Sequence, residues 1–162
     1  MGTFDVSEIF QFAIGIEENG EKFYRYAAQM TEDGKTKEAF NRLADEEIGH
    51  KKIFEEMLSK IEKYEPPEIY PDEYFSYLRA YVNDAVFTRE MQEKELPAVK
   101  DTFSAIKFAI QRELDSILYY QEIKKFVTKD QHDLIDGIIE EERRHFLKLS
   151  KFLKKLRYSQ KR

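Results

Sequence analysis

The sequence predicts an all-α chain, with four long helices packed as one bundle in a single domain spanning residues 1–162. Three observations carry this. Six Gly and four Pro interrupt 162 residues, and long stretches contain neither. So little punctuation favours long helices over many short strands. Apolar residues recur at helical spacing in four separate segments. One short pattern also occurs twice, where two helical hairpins would place it. Residues 13–24 read AIGIEENGEKFY and residues 109–120 read AIQRELDSILYY. Aligned without a gap, both give Ala-Ile-x-x-Glu, a small residue three positions on, and Tyr seven positions on.

The first helix starts at Asp5 or Ser7, where Asp5 and Glu8 fit a capping box. Phe12, Ile16, Phe23, Ala27 and Met30 give its period, so it runs to about Met30. Thr31-Glu32-Asp33-Gly34 is a turn, made of residues that bond their own backbone or accept positive φ. A second helix spans about 35–63, with Phe40, Leu43, Ala44, Phe54, Met57, Leu58 and Ile61 as its stripe. Glu65-Pro66-Pro67 ends it, because proline lacks a donor and restricts the residue before it. Residues 64–100 form a long connection, with a short helix near 72–84 and a further turn near 87–94. A connection of this length can cross the whole bundle, so helices two and three can lie parallel. The third helix runs from about Asp101 to Val127, lined by Phe103, Ile106, Ala109, Ile110, Ile117 and Tyr120. Thr128-Lys129-Asp130 is the next break, with Asp130 as N-cap. The fourth helix reaches about Leu156, carrying Leu134, Ile138, Leu149, Phe152 and Leu153.

Composition excludes several classes. Hydrophobic residues are 41% and aromatics 14%, too many for a disordered chain. The net charge of −5 argues against general nucleic-acid binding. The basic stretch from Ser150 to Arg162 complements the dipole of a terminal helix. With no cysteine, disulfides, thiolate zinc sites and iron–sulfur clusters are ruled out. No signal peptide and no 18-residue apolar run is visible, so a cytoplasmic protein without a membrane span is expected.

The repeats set up metal ligands. Glu17 and Glu113 occupy matching positions, and a Glu-x-x-His follows each: Glu47 with His50 and Glu142 with His145. These lie thirty residues after Glu17 and twenty-nine after Glu113, one helical hairpin later. Residues three apart share a helix face, so each Glu–His pair can reach one metal. Each Glu falls inside an apolar stripe, a costly place for a carboxylate unless it is paired or metal-bound. Four carboxylates match the charge of two divalent cations, so the filled site can be buried. Without metal they would repel one another, and some would take up protons. Gly20 and Ser116 leave room beside the metals. Tyr24 and Tyr120 lie two turns beyond their Glu, where each can donate a hydrogen bond to a ligand or serve as plain core. Glu18, Glu46, Glu140 and Glu141 sit off the ligand positions and are expected to point toward solvent. His132 lacks the Glu-x-x-His spacing and is read as a surface residue. Oxygen and nitrogen donors without thiolate suit two iron ions, with manganese or zinc as alternatives.

At these residues the chain resembles the ferritin-like di-iron carboxylate proteins, and within them the rubrerythrin branch. The resemblance covers roughly residues 5–157. It implies that Glu17 with His50 hold one iron, Glu113 with His145 the other, and Glu47 and Glu142 bridge them. It also implies reduction of peroxide, or oxidation of ferrous iron by dioxygen or peroxide. Two departures stand out. Rubrerythrins carry a further Glu one turn before the third-helix ligand, where this chain has Ile110. They usually carry a cysteine-rich rubredoxin domain, which is missing here, so a separate electron-donor protein is implied. The six-ligand set is more similar to the ferroxidase centre of bacterioferritins. Three alternatives remain: an iron-storage or iron-handling protein, a di-metal oxygenase on another substrate, or a helical scaffold that docks partners. Tyr74, Tyr77 and Phe87 fall outside the helical stripes and point to a homodimer.

Overall fold

The computed structural model describes residues 6–61, 73, 76–78, 80–81, 94 and 96–161. Four long helices dominate: α1 (Val6–Met30), α2 (Gly34–Ser59), α3 (Thr102–Ile123) and α4 (Lys129–Ser159). Short 3-10 turns lie at Leu96–Ala98 and Lys124–Phe126, and the described residues contain no strand.

Local chemistry sets the ends. Asp33 caps α2, its carboxylate accepting from the Thr36 backbone N–H at 2.9 Å and from the Thr36 hydroxyl at 2.6 Å. Asp101 caps α3 in a capping box closed by Ser104. α2 stops at Ser59, short of the predicted 63. The N–H groups of Lys60 and Ile61 turn back onto the carbonyls of Met57 and Leu58. Asp5, the Glu65-Pro66-Pro67 stop and most of the predicted 87–94 turn lie outside the described residues. Those described at 73, 76–78 and 80–81 are helical, within the predicted 72–84 helix. α3 ends at Ile123, and the last predicted turn tightens into the 3-10 segment. The N-cap of α4 is Thr128 rather than Asp130, which sits in the first turn beside the positive end of the helix. α4 runs three residues past its predicted end.

The helices pair as α1 with α2 and α3 with α4, and the two hairpins meet face to face. Cross-hairpin contacts fix direction. Tyr119 donates to the Ile9 carbonyl at 3.0 Å, and Phe23 packs on Phe108 with ring centroids 4.9 Å apart. Higher numbers on α1 thus meet lower numbers on α3, so the two are antiparallel. α2 and α3 are therefore parallel, as the long connection allowed. The core is apolar above and below a central polar layer. Phe10, Leu43, Phe54, Ile106 and Ile138 are all essentially buried. Leu134, expected in the α4 stripe, is 46% exposed. The inward face of α4 keeps the expected Ile138 and Leu149 and runs through Ile135, Ile139, Glu142 and His145, so Ile135 takes the place expected of Leu134.

Candidate metal centre

The polar layer contains all six sequence-predicted ligands, each buried: Glu17, Glu47, His50, Glu113, Glu142 and His145. They arrive from four helices and form two overlapping groups. Glu17, Glu47, His50 and Glu142 offer ligand atoms within 4.8 Å of one another, and so do Glu47, Glu113, Glu142 and His145. Glu47 and Glu142 belong to both.

The shared carboxylates divide their oxygens between the two halves. Glu47 turns Oε2 to His50 Nδ1 at 3.5 Å and Oε1 to His145 Nδ1 at 3.5 Å. Glu142 turns Oε1 to His50 Nδ1 at 2.8 Å and Oε2 to His145 Nδ1 at 3.4 Å. Glu17 Oε2 lies 3.4 Å from His50 Nδ1, and Glu113 Oε1 lies 3.5 Å from His145 Nδ1. The two imidazoles stack with centroids 5.8 Å apart. Both histidines turn Nδ1 inward. Glu17 Oε2, Glu142 Oε1, His50 Nδ1 and His145 Nδ1 are buried without a hydrogen-bond partner. Buried polar atoms are normally satisfied. Orphans from three helices that converge on one point, with Glu47 and Glu142 common to both groups, fit a pair of cations.

The electrostatics agree. Burial, then the Glu47 carboxylate, pushes the Glu17 carboxyl well above its ordinary range. Burial and Glu142 do the same to Glu113. Burial disfavours charge on both imidazoles. Close contacts to Glu142, Glu17 and Glu47 nevertheless raise His50 far above the usual histidine range. Those to Glu113, Glu142, Glu46 and Glu47 raise His145 likewise. Protons neutralise the carboxylates where no cation does so.

Around the ligands the two repeats exchange support. Tyr24 donates to Glu113 Oε1 and Tyr120 donates to Glu17 Oε1, so each repeat's tyrosine holds the other repeat's lone glutamate. Burial, then the facing carboxylate, raises both phenols well above their ordinary range, which keeps them donors. A Cβ on Gly20 would lie 3.4 Å from Glu47 Cδ, just in contact, so a side chain larger than alanine would press on that carboxylate.

Two residues depart from the sequence expectation. Glu46 and Glu141 were expected to face solvent. Their side chains are half-exposed, yet both reach the outer ring nitrogens. Glu141 Oε2 lies 2.8 Å from His50 Nε2. Glu46 Oε2 lies 2.7 Å from His145 Nε2, off the direction of a good N–H bond. Carboxylates in this position fix the ring orientation and raise ligand basicity. The sequence signal was the doublet: each motif reads Glu-Glu-x-x-His. Glu18 pairs with Lys51 at 2.6 Å, and Glu140 pairs with Arg143. His132 is not in either ligand group.

A family model for rubrerythrin matches residues 8–153. The chain belongs to the rubrerythrin family. Among solved structures it is similar to a protein from Thermotoga maritima provisionally described as a ferritin-like diiron-carboxylate protein. Identity is 28%, the TM-score is 0.66, and 95% of this chain and 97% of that one are covered. No curated protein matches it. The chain thus combines the ferritin-like helical fold with a buried Glu/His cluster compatible with a dinuclear metal site. No described helix is long and apolar enough to cross a membrane.

Proposed function

We propose that the protein is a di-iron carboxylate redox protein that reduces peroxide or oxidises ferrous iron with dioxygen or peroxide. The observation that supports this most is the pair of buried Glu–His groups sharing Glu47 and Glu142. Bound as a pair, iron would supply one-electron redox chemistry at two adjacent ions. Iron is preferred because the donors are oxygen and nitrogen without thiolate, a set that also admits manganese or zinc.

The chain's own residues then have distinct tasks. Glu17 and His50 would hold one ion, Glu113 and His145 the other, and Glu47 and Glu142 would span both. Tyr24 and Tyr120 each pin one oxygen of a terminal carboxylate, Glu113 Oε1 and Glu17 Oε1. Glu46 and Glu141 set the imidazole planes from outside. Phe10, Phe54 and Ile106 close the layer with apolar side chains, which excludes bulk water and strengthens every polar contact inside.

A cleft of about 390 Å³ beside His145 is lined by Glu46, Glu141, Arg144, His145 and Lys148. Its charged walls suit a small polar oxidant such as peroxide better than an apolar organic substrate. A separate electron donor and a homodimeric assembly complete the reading. Of the aromatics that pointed to a dimer, Tyr77 is exposed, and Tyr74 and Phe87 lie outside the described residues. The test is stopped-flow mixing of the di-ferrous protein with peroxide and, separately, dioxygen. Oxidation faster than that of free ferrous iron is expected with at least one. No acceleration by either oxidant defeats the reading.

A further inference from the structure

We propose that the outward face of α3 is a two-fold interface on which a second copy of this chain docks, with its own α3 antiparallel to the first. The proposal rests on the homodimer in the reading above and assigns its face. From Lys107 onward the exposed positions of α3, and of the 3-10 turn that continues it, are Lys107, Gln111, Leu114, Leu118, Gln121 and Lys125. Their spacing alternates between four and three, which is the spacing of a coiled-coil seam. Read from either end, the residue types are the same: Lys, Gln, Leu, Leu, Gln, Lys. In a parallel pair each residue meets its own copy whatever the sequence. Only an antiparallel pair needs a palindrome to put like against like. About an axis level with residue 116, Leu114 meets Leu118 of the second copy, Gln111 meets Gln121, and Lys107 meets Lys125. Each contact then occurs twice, as an isologous interface requires.

The face has an apolar centre and polar ends, the anatomy of a protein interface. Leu114 and Leu118 are 43% and 48% exposed. Half-buried Ile110 and Ile117 widen the patch toward α4. Lone exposed leucines are ordinary, whereas a contiguous apolar patch with a polar rim marks a contact. Gln111 and Gln121 each carry a donor and an acceptor, so a facing pair can bond both ways. Glu122 pairs with Lys125 at 2.8 Å. It lies on the flank that an antiparallel copy turns to Lys107, so each end sets one carboxylate between two ammonium groups.

The other sides of α3 are already taken. Ala109, Glu113, Ser116 and Tyr120 are buried on its inward face. Tyr81 covers one flank, stacking on Tyr119 at 6.1 Å and donating to the Asp115 carbonyl. Lys124 ties the other flank to Asp136 of α4 at 2.6 Å. The seam lies between these flanks and faces outward. The other repeat supplies a contrast. In the gapless alignment Leu114 and Leu118 match Glu18 and Lys22 of α1. The two helices do equivalent work toward the centre, yet only α3 carries leucines on the outside. Neither the bundle nor the metal centre asks for them, and a second copy does.

The test uses the full chain in two arms. In the first, sedimentation equilibrium should give twice the mass of one chain. Leu118→Lys should raise the dissociation constant about 10- to 100-fold, with helicity and metal content per chain unchanged. A monomeric wild type overturns the proposal, and so does a dimer that the substitution leaves intact. The second arm exploits the absence of cysteine, so that introduced thiols report on this contact alone. Across an antiparallel seam, positions 111 and 121 are neighbours. Each lies about 15 Å along the axis from its own copy, at 1.5 Å per residue, too far for a disulfide. On oxidation, Gln111→Cys/Gln121→Cys should become a covalent dimer, and neither single variant should. An unlinked double variant overturns the contact. Single variants that link as fully as the double variant overturn the antiparallel register. Neither arm needs the metals to react, so a dimer that passes both while its iron ignores both oxidants sinks the redox reading alone.

Discussion

Glu46 and Glu141 show how much a single carboxylate can do without binding metal. Each sits one residue before a glutamate common to both ligand groups and reaches the outer nitrogen of the histidine on the facing helix. Changing either to Gln keeps the shape and removes the charge that favours the correct ring tautomer. Metal affinity should fall roughly 10- to 100-fold by titration, with helicity unchanged. Tyr24→Phe and Tyr120→Phe act one contact nearer. Each strands a buried carboxylate oxygen, and thermal melts should show a loss of about 1–3 kcal/mol. Gly20 separates space from flexibility. Alanine makes only ordinary contact with Glu47 and should gain about 0.5–1 kcal/mol in helix stability. Valine adds branches toward the same carboxylate, and its measured metal content should fall. The six ligands were legible because each carboxylate or imidazole interrupts an apolar stripe on its own helix. Glu46 and Glu141 were not, because their partners lie across the bundle, and spacing within one helix says nothing about that.

At the scale of elements, the caps carry the pH dependence that can be argued most simply. Hydrogen bonds from Thr36 hold the Asp33 carboxyl below its ordinary range. Those from Ser104 do the same for Asp101. A depressed carboxyl stabilises the fold while ionised. Its contribution is present above the unfolded value near 3.8 and is lost as pH falls through the lower folded value. Stability should therefore decline in acid below about pH 4. In Asp33→Asn, which keeps an acceptor without the charge, melts taken against pH should show a shallower decline. The capping signals were readable because they are local. Asp130 was misplaced for the same reason: Thr128 and Asp130 are both good cap residues, and where the chain enters from the preceding 3-10 turn decides between them. Leu134 fell outside the core because a stripe read on apolar character alone cannot see that Glu142 and His145 set the inward phase.

For the whole molecule, the centre couples metal, protons and stability. Glu17, Glu113, His50 and His145 all hold protons more tightly than usual, and cations must displace them. Raised values mean occupied proton sites near neutrality, so metal affinity should rise with pH. Calorimetry in buffers of different ionisation enthalpy should detect protons released on loading, and none released would contradict this account. Bound metal should also raise the melting temperature, since it binds the folded state alone. Glu47→Ala or Glu142→Ala removes a carboxylate common to both halves and should abolish paired-metal stoichiometry.

By itself the sequence determined the four helices, allowed the parallel arrangement through the long connection, and picked out the six side chains that gather at the centre. Periodicity, capping and a repeated motif are properties of neighbours along the chain, and the chain states them outright. The tertiary structure alone decided what crosses between helices. It turned Nδ1 of each histidine inward, placed Glu46 and Glu141 behind the rings, swapped the tyrosines between repeats and brought Tyr81 onto Tyr119. Those contacts join residues far apart in the chain, and only the packing of one hairpin on the other chooses among the partners that local geometry permits.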